Sequence, residues 1–186
     1  MGYLITLHIE LNAIRSFLHT VSAASDIEYS KIKSRSDAGD FGHYDDEANA
    51  YFIPMKWDEI ACKSTLGELN ALFETKLQEI AGAPFQNEYP DLTKQKMVSD
   101  LPIDKLINLI EKFYQFRVVD IVSYNEMMEI RNKVNSFKHR NGFKHPVKDK
   151  CTVYPEKVEL SRVEAFKSID IVASFLKDLW SRTQNK

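Results

Sequence analysis

Six apolar residues, Leu4, Leu7, Leu11, Ile14, Leu18 and Val21, follow one another at alternating intervals of three and four. Side chains at that spacing share one stripe of an α-helix, whereas a strand would scatter them over both faces. Such a seam packs against other helices or against a second copy of itself. It loses its pattern at Ser25, which favours core packing. The helix is expected to run to about Lys33, with Ile27 and Ile32 turned inward.

The same period recurs along the chain. Leu66, Leu69, Phe73, Leu77 and Ile80 mark a helix over 55–82, opened by Pro54 as a first helical residue, with Glu68, Glu74 and Lys76 outward. Gly67 within it suggests a close helix crossing. Pro102 opens a third helix capped by Ser99 or Asp100, which continues through Leu106 and Ile110. The chain breaks near 120–123. A fourth helix then runs from Tyr124 to about Arg140, with Met127, Ile130, Val134 and Phe137 inward and Gly142 as its stop. Ser161 and Glu164 have the spacing of a capping box and start a last helix, with Phe166, Ile169, Val172, Ala173, Leu176 and Leu179 or Trp180 on its apolar stripe.

No stretch alternates with period two over a useful length. The expected fold is therefore all-α, an up-and-down bundle of four to five helices in one domain spanning 1–186. An acidic loop is expected over 34–50 and a long loop over 83–102, the latter rich in proline. Asp37, Asp40, His43, Asp45, Asp46 and Glu47 in the first loop do not have the spacing of a calcium loop, and no metal or cofactor is expected. Cys62 and Cys151 are distant in sequence and read as free thiols of a reducing compartment. No apolar run approaches the roughly 18 residues that a membrane span needs. The expected location is the cytoplasm, away from membranes.

The net charge of −2 is unevenly spread. Residues 131–150 hold seven Lys and Arg against one acid, Asp149, so the remainder is acidic. Within this segment, Arg131 to Pro146 reads R-N-K-V-N-S-F-K-H-R-N-G-F-K-H-P. A confined basic patch on a mildly acidic chain points to a polyanion, RNA being the expected partner. On a helix, Asn132, Asn135 or Ser136, and His139 stack into a polar strip, with Arg131 about 80° from His139. Histidine moves protons near neutral pH, and arginine forks onto phosphate and offsets developing charge. Those residue types support phosphodiester transfer without a metal. His145 or His139 would be the general acid and base, and Arg140 or Arg131 the phosphate clamp. Lys138 and Lys144 would hold the RNA backbone, with Asn132 and Asn135 beside them and Phe143 placed to stack on a base. A helix C-terminus that attracts cations is the plainer reading of the same residues.

Arg140-Asn141-Gly142-Phe143-Lys144-His145 resembles the motif of the HEPN superfamily, in which Arg, often followed by a polar residue, precedes His by four to six residues. The resemblance covers six residues of the chain. It implies an all-helical fold and a metal-independent endoribonuclease of toxin–antitoxin, abortive-infection or other antiviral defence systems. It implies Arg140 and His145 as the catalytic pair and Asn141 as their polar neighbour. It also implies a homodimer that joins two motifs into a composite site, with an antitoxin or another defence protein as partner. The Arg131–His139 pair departs from the pattern, since seven residues separate them. Val147 stands where some members carry a tyrosine that a partner enzyme modifies. The alternative function is a non-catalytic helical module of the same class, binding RNA, a nucleotide or a partner protein.

Overall fold

The structure, a computed structural model, describes residues 2–86, 93, 96, 98–139, 142–143 and 156–184. Among these, five α-helices form an all-α bundle: α1 (Gly2–Asp37), α2 (Tyr44–Gly82), α3 (Ile103–Tyr114), α4 (Tyr124–His139) and α5 (Arg162–Gln184). Single 3-10 turns at Ala83–Phe85 and Val118–Asp120 lie between them, and no named strand occurs among the described residues.

The period-3.6 seams become the core. Leu7, Leu11 and Leu18 of α1 are buried, with Ile14 and Val21 packed at the edge. Leu66, Leu69, Phe73, Leu77 and Ile80 of α2 are all at most 1% exposed. They meet Ile169, Val172, Phe175, Leu176 and Leu179 of α5, and Phe73 meets Phe175 edge-on at 5.5 Å between ring centroids. Each such side chain contributes about 1.5–3 kcal/mol of transfer free energy. The helix α2 is the axle: α1, α3, α4 and α5 all pack on it. The helix α5 runs antiparallel to α1, since Tyr3 stacks on Trp180, Arg15 pairs with Asp170 and Asp26 with Arg162. At the start of α5, the Ser161 Oγ accepts from the Glu164 N–H while the Glu164 carboxylate accepts from the Ser161 N–H, the expected capping box.

Several expectations are corrected. The loop between α1 and α2 covers only 38–43, not 34–50. The helix α2 begins at Tyr44, so Pro54 lies inside it. Three first-turn acids, Asp45, Asp46 and Glu47, favour the helix start electrostatically, and Tyr29 of α1 stacks on Tyr51. Pro102 is the N-cap of α3 and no side chain caps that helix. Gly67 makes no close crossing, because a Cβ built there meets nothing within 4 Å. Leu4 and Ile27 are exposed, while Ile32 is buried as expected. Of the long loop expected over 83–102, residues 87–92, 94, 95 and 97 lie outside the described residues.

Lys76 is the sharpest reversal. It is 2% exposed, because its position on α2 falls between Leu72, Phe73 and Leu77 rather than opposite them. Its ammonium lies 3.1 Å from Glu10 Oε2, an ion contact without hydrogen-bond alignment, and 3.3 Å from Glu79 Oε2. The Tyr3 ring sits 5.5 Å from Lys76 Nζ and stacks on Trp180 at 4.1 Å. Burial, then Glu79 and Glu10, push the Tyr3 hydroxyl well above the usual tyrosine range.

Candidate functional site

The helix α4 carries the described part of the basic segment. Met127, Ile130, Val134 and Ser136 face the core. Ser136 is thereby removed from the polar strip, and its hydroxyl donates to the Asn132 carbonyl at 2.9 Å. Asn132, Lys138 and His139 are exposed, and Arg131 and Asn135 are half-buried. The helix is described as far as His139. Gly142 then takes φ +84°, and its N–H donates to the Ser136 carbonyl at 2.9 Å. A Cβ at Gly142 would lie 3.3 Å from the Phe137 ring, so both backbone and packing favour glycine. The Gly142 carbonyl accepts from Val158 N–H at 2.7 Å, and Phe143 forms an antiparallel bridge with Lys157, whose ammonium is 5.8 Å from the Phe143 ring. Phe143 is half-buried in this clamp.

Arg131 and His139 are not brought together. They are separated by about 12 Å along the helix axis. Arg131 instead reaches α2, where its Nη1 donates to Glu74 Oε1 at 2.7 Å. Asn70 Nδ2 donates to the same oxygen at 3.0 Å. Arg131 and Glu74 border a cleft of about 210 Å³ that also touches Gln78, Ser99 and Pro102. Lys133 pairs with Glu164 of α5 at 3.0 Å. Glu164 is held below the usual carboxylate range, first by the Ser161 N–H and next by Lys133. The basic patch is thus partly neutralised by carboxylates from two other helices. Of its three described cations, Lys138 alone makes no ion pair among the described residues. Arg140, Asn141, Lys144 and His145 lie outside the described residues.

A second charged cluster was not foreseen. Arg162, first residue of α5, forks onto Asp58, with Nε to Oδ1 at 2.8 Å and Nη2 to Oδ2 at 2.6 Å, while Nη1 donates to Asp26 at 2.7 Å. The buried Ser25 hydroxyl is 3.0 Å from both Asp58 Oδ2 and the Pro54 carbonyl. All three donor nitrogens of Arg162 are occupied, so this is a clasp joining α1, α2 and α5. Asp58 and then Asp26 raise the affinity of the guanidinium for its proton. Among the described residues, no three His, Cys, Asp or Glu side chains gather as metal ligands, and no helix is long and apolar enough to cross a membrane. The chain matches no family model, and no curated protein or solved structure matches it.

Proposed function

We propose that this protein is a metal-independent endoribonuclease whose working pair is Arg140 and His145. The observation that supports this choice of pair is the Arg131–Glu74 ion pair. A guanidinium already bonded to a carboxylate is a poor clamp for phosphate, which leaves the Arg140-Asn141 motif that follows His139 in the sequence. In this reading His145 takes the proton of a ribose 2′-hydroxyl. The 2′-oxygen attacks phosphorus, the bond to the 5′-oxygen breaks, and that oxygen leaves with a proton. Arg140 offsets the charge that develops on the phosphoryl oxygens. Asn141 orients the pair, and the exposed Lys138 and Asn132 meet the RNA backbone. The resemblance to HEPN proteins extends the proposal to a homodimeric toxin or defence effector restrained by an antitoxin or another defence protein.

Cleavage of RNA in EDTA tests it. Arg140→Ala and His145→Ala should each lose activity by about 10²-fold or more, as removal of a proton-transfer or charge-stabilising group does. Arg131→Ala should retain most of it. Loss in Arg131→Ala with activity kept in Arg140→Ala would move the site about two and a half turns back, to Arg131 of α4. RNA binding that falls steeply with salt, without cleavage, would favour the non-catalytic module.

A further inference from the structure

The helix α1 has an outward face that the rest of the chain leaves open. Leu7, Leu11 and Leu18 turn one side of it to the core. On the opposite side, Ile5, Ile9, Ser16, Thr20, Ala23 and Ile27 fall within an arc of about 60°, and all six are exposed. Ile5, Ile9 and Ile27 are each more than half exposed, at 55%, 62% and 58%. A surface helix ordinarily carries charge opposite its buried stripe. Here the charged residues between Gly2 and Ser30 are Glu10, Arg15, Asp26 and Glu28, and the 100° advance puts all four on the flanks. Arg15 and Asp26 are already tied to Asp170 and Arg162 of α5. The polar groups bordering the face turn inward on their own helix: Thr6 Oγ1 donates to the Gly2 carbonyl at 3.0 Å and Ser30 Oγ to the Asp26 carbonyl at 2.9 Å.

We infer that this face of α1 pairs with the same face of a second copy, antiparallel, about a two-fold axis beside Ser16. The order of residues carries the inference, because bulk lies at the two ends and small side chains in between. Reversed about Ser16, Ile5 meets the second copy's Ile27, Ile9 meets its Ala23, and Ser16 meets its own equivalent. Each unlike contact occurs twice, as an isologous interface requires. Small residues at the crossing let the helix backbones approach. Ile27 also borders an open depression of about 410 Å³ with Asp26, Ser30, Lys31 and Ser34, which the second copy's Ile5 enters. The face from Ile5 to Ile27 is about 33 Å long and covers on the order of 500 Å² per copy. The total reaches the lower bound of specific interfaces, about 1,000 Å². A lipid surface fits less well, since helices that lie on membranes are rich in Lys and Arg on their polar side, whereas Glu10 and Glu28 flank this face. The helix α4 packs on α2 and α5, and none of the α1 face residues belongs to it. It stands apart from the ribonuclease reading.

The experiment is sedimentation equilibrium of the full chain from about 1 to 200 µM, a range suited to an interface of this size. Helical content is checked by circular dichroism for every variant. The wild type should dimerise. Ile9→Glu should weaken association at least 10-fold while keeping its helicity, since Ile9 is exposed in the single chain. Direction is read by oxidative cross-linking in a Cys151→Ser background. A mixture of Ile5→Cys and Ile27→Cys chains should form a disulfide dimer, and either variant alone should not. A monomer throughout the range, a dimer indifferent to Ile9→Glu, or cross-linking of each variant with itself but not with the other would overturn the pairing. So would a monomeric chain that floats with phosphatidylcholine–phosphatidylglycerol vesicles, which would assign the face to a lipid surface.

Discussion

The two halves of α2 are built from similar residues and end in opposite states. From Ala61 to Gly82, Leu66, Leu69, Phe73, Leu77 and Ile80 are shut away, and even a lysine is buried. From Tyr44 to Ile60, Pro54 alone is buried, while Tyr44, Phe52, Ile53, Met55, Trp57 and Ile60 stand open. The second half of the helix is surrounded by α1, α3, α4 and α5; the first forms an arm along α1 that is tied to α5 through Asp58 and Arg162. An apolar residue lowers the free energy of a fold only where another element removes it from water. One continuous helix can thus be core at one end and surface at the other.

The largest expected effect tests that contrast directly. Phe73→Ala should lower unfolding free energy by about 3–5 kcal/mol in denaturant titration, through lost transfer energy and a cavity against Phe175. Phe52→Ala, of identical chemistry but on the arm, should change it by no more than about 0.5 kcal/mol. Comparable losses at the two sites would break the comparison.

Lys76 gives the next test. Lys76→Ala should cost about 2–4 kcal/mol, since it opens a cavity beside Leu72 and Phe73 and strands the Glu10 and Glu79 carboxylates. Lys76→Met keeps the volume and loses the charge, so it should recover at least half of that loss. Equal losses in the two variants would assign the lysine's contribution to its charge rather than to its stem.

The smallest effect concerns pH at the arm's base. Hydrogen bonds from Lys56 and Lys63 lower the Glu59 carboxyl from 4.5 to about 2. A carboxyl depressed in the folded state contributes stability above pH 4.5, which is lost as pH falls toward 2. The Glu59 side chain is 41% exposed, so solvent screening reduces the contribution to a few tenths of a kcal/mol. Glu59→Gln should flatten the decline in stability between those pH values by that amount, and an unchanged slope would assign the decline to other groups.

Much of the helical frame was legible because its causes are local. Three- and four-residue spacing identified the stripes of α1, α2, α4 and α5, and the Ser161–Glu164 box and Gly142 marked two helix boundaries from residues within one turn. Misread positions depended on remote partners. Pro54 looked like a helix start because sequence cannot show that α1 supports the turns of α2 before it. Arg131 and Lys133 looked unopposed on a helix face without acids, yet Glu74 is 57 residues away and Glu164 is 31.

The sequence by itself determined an all-α chain, the faces its helices bury and a one-signed segment around the end of α4. Those follow from the 100° advance per residue and from composition within a turn. The tertiary structure decided which described cations of that segment keep their charge unopposed, that Lys76 is interior, and that Ile5, Ile9 and Ile27 of α1 stand uncovered. Charge pairing and burial are properties of distance in space, and only the packing of α1, α4 and α5 on α2 sets those distances.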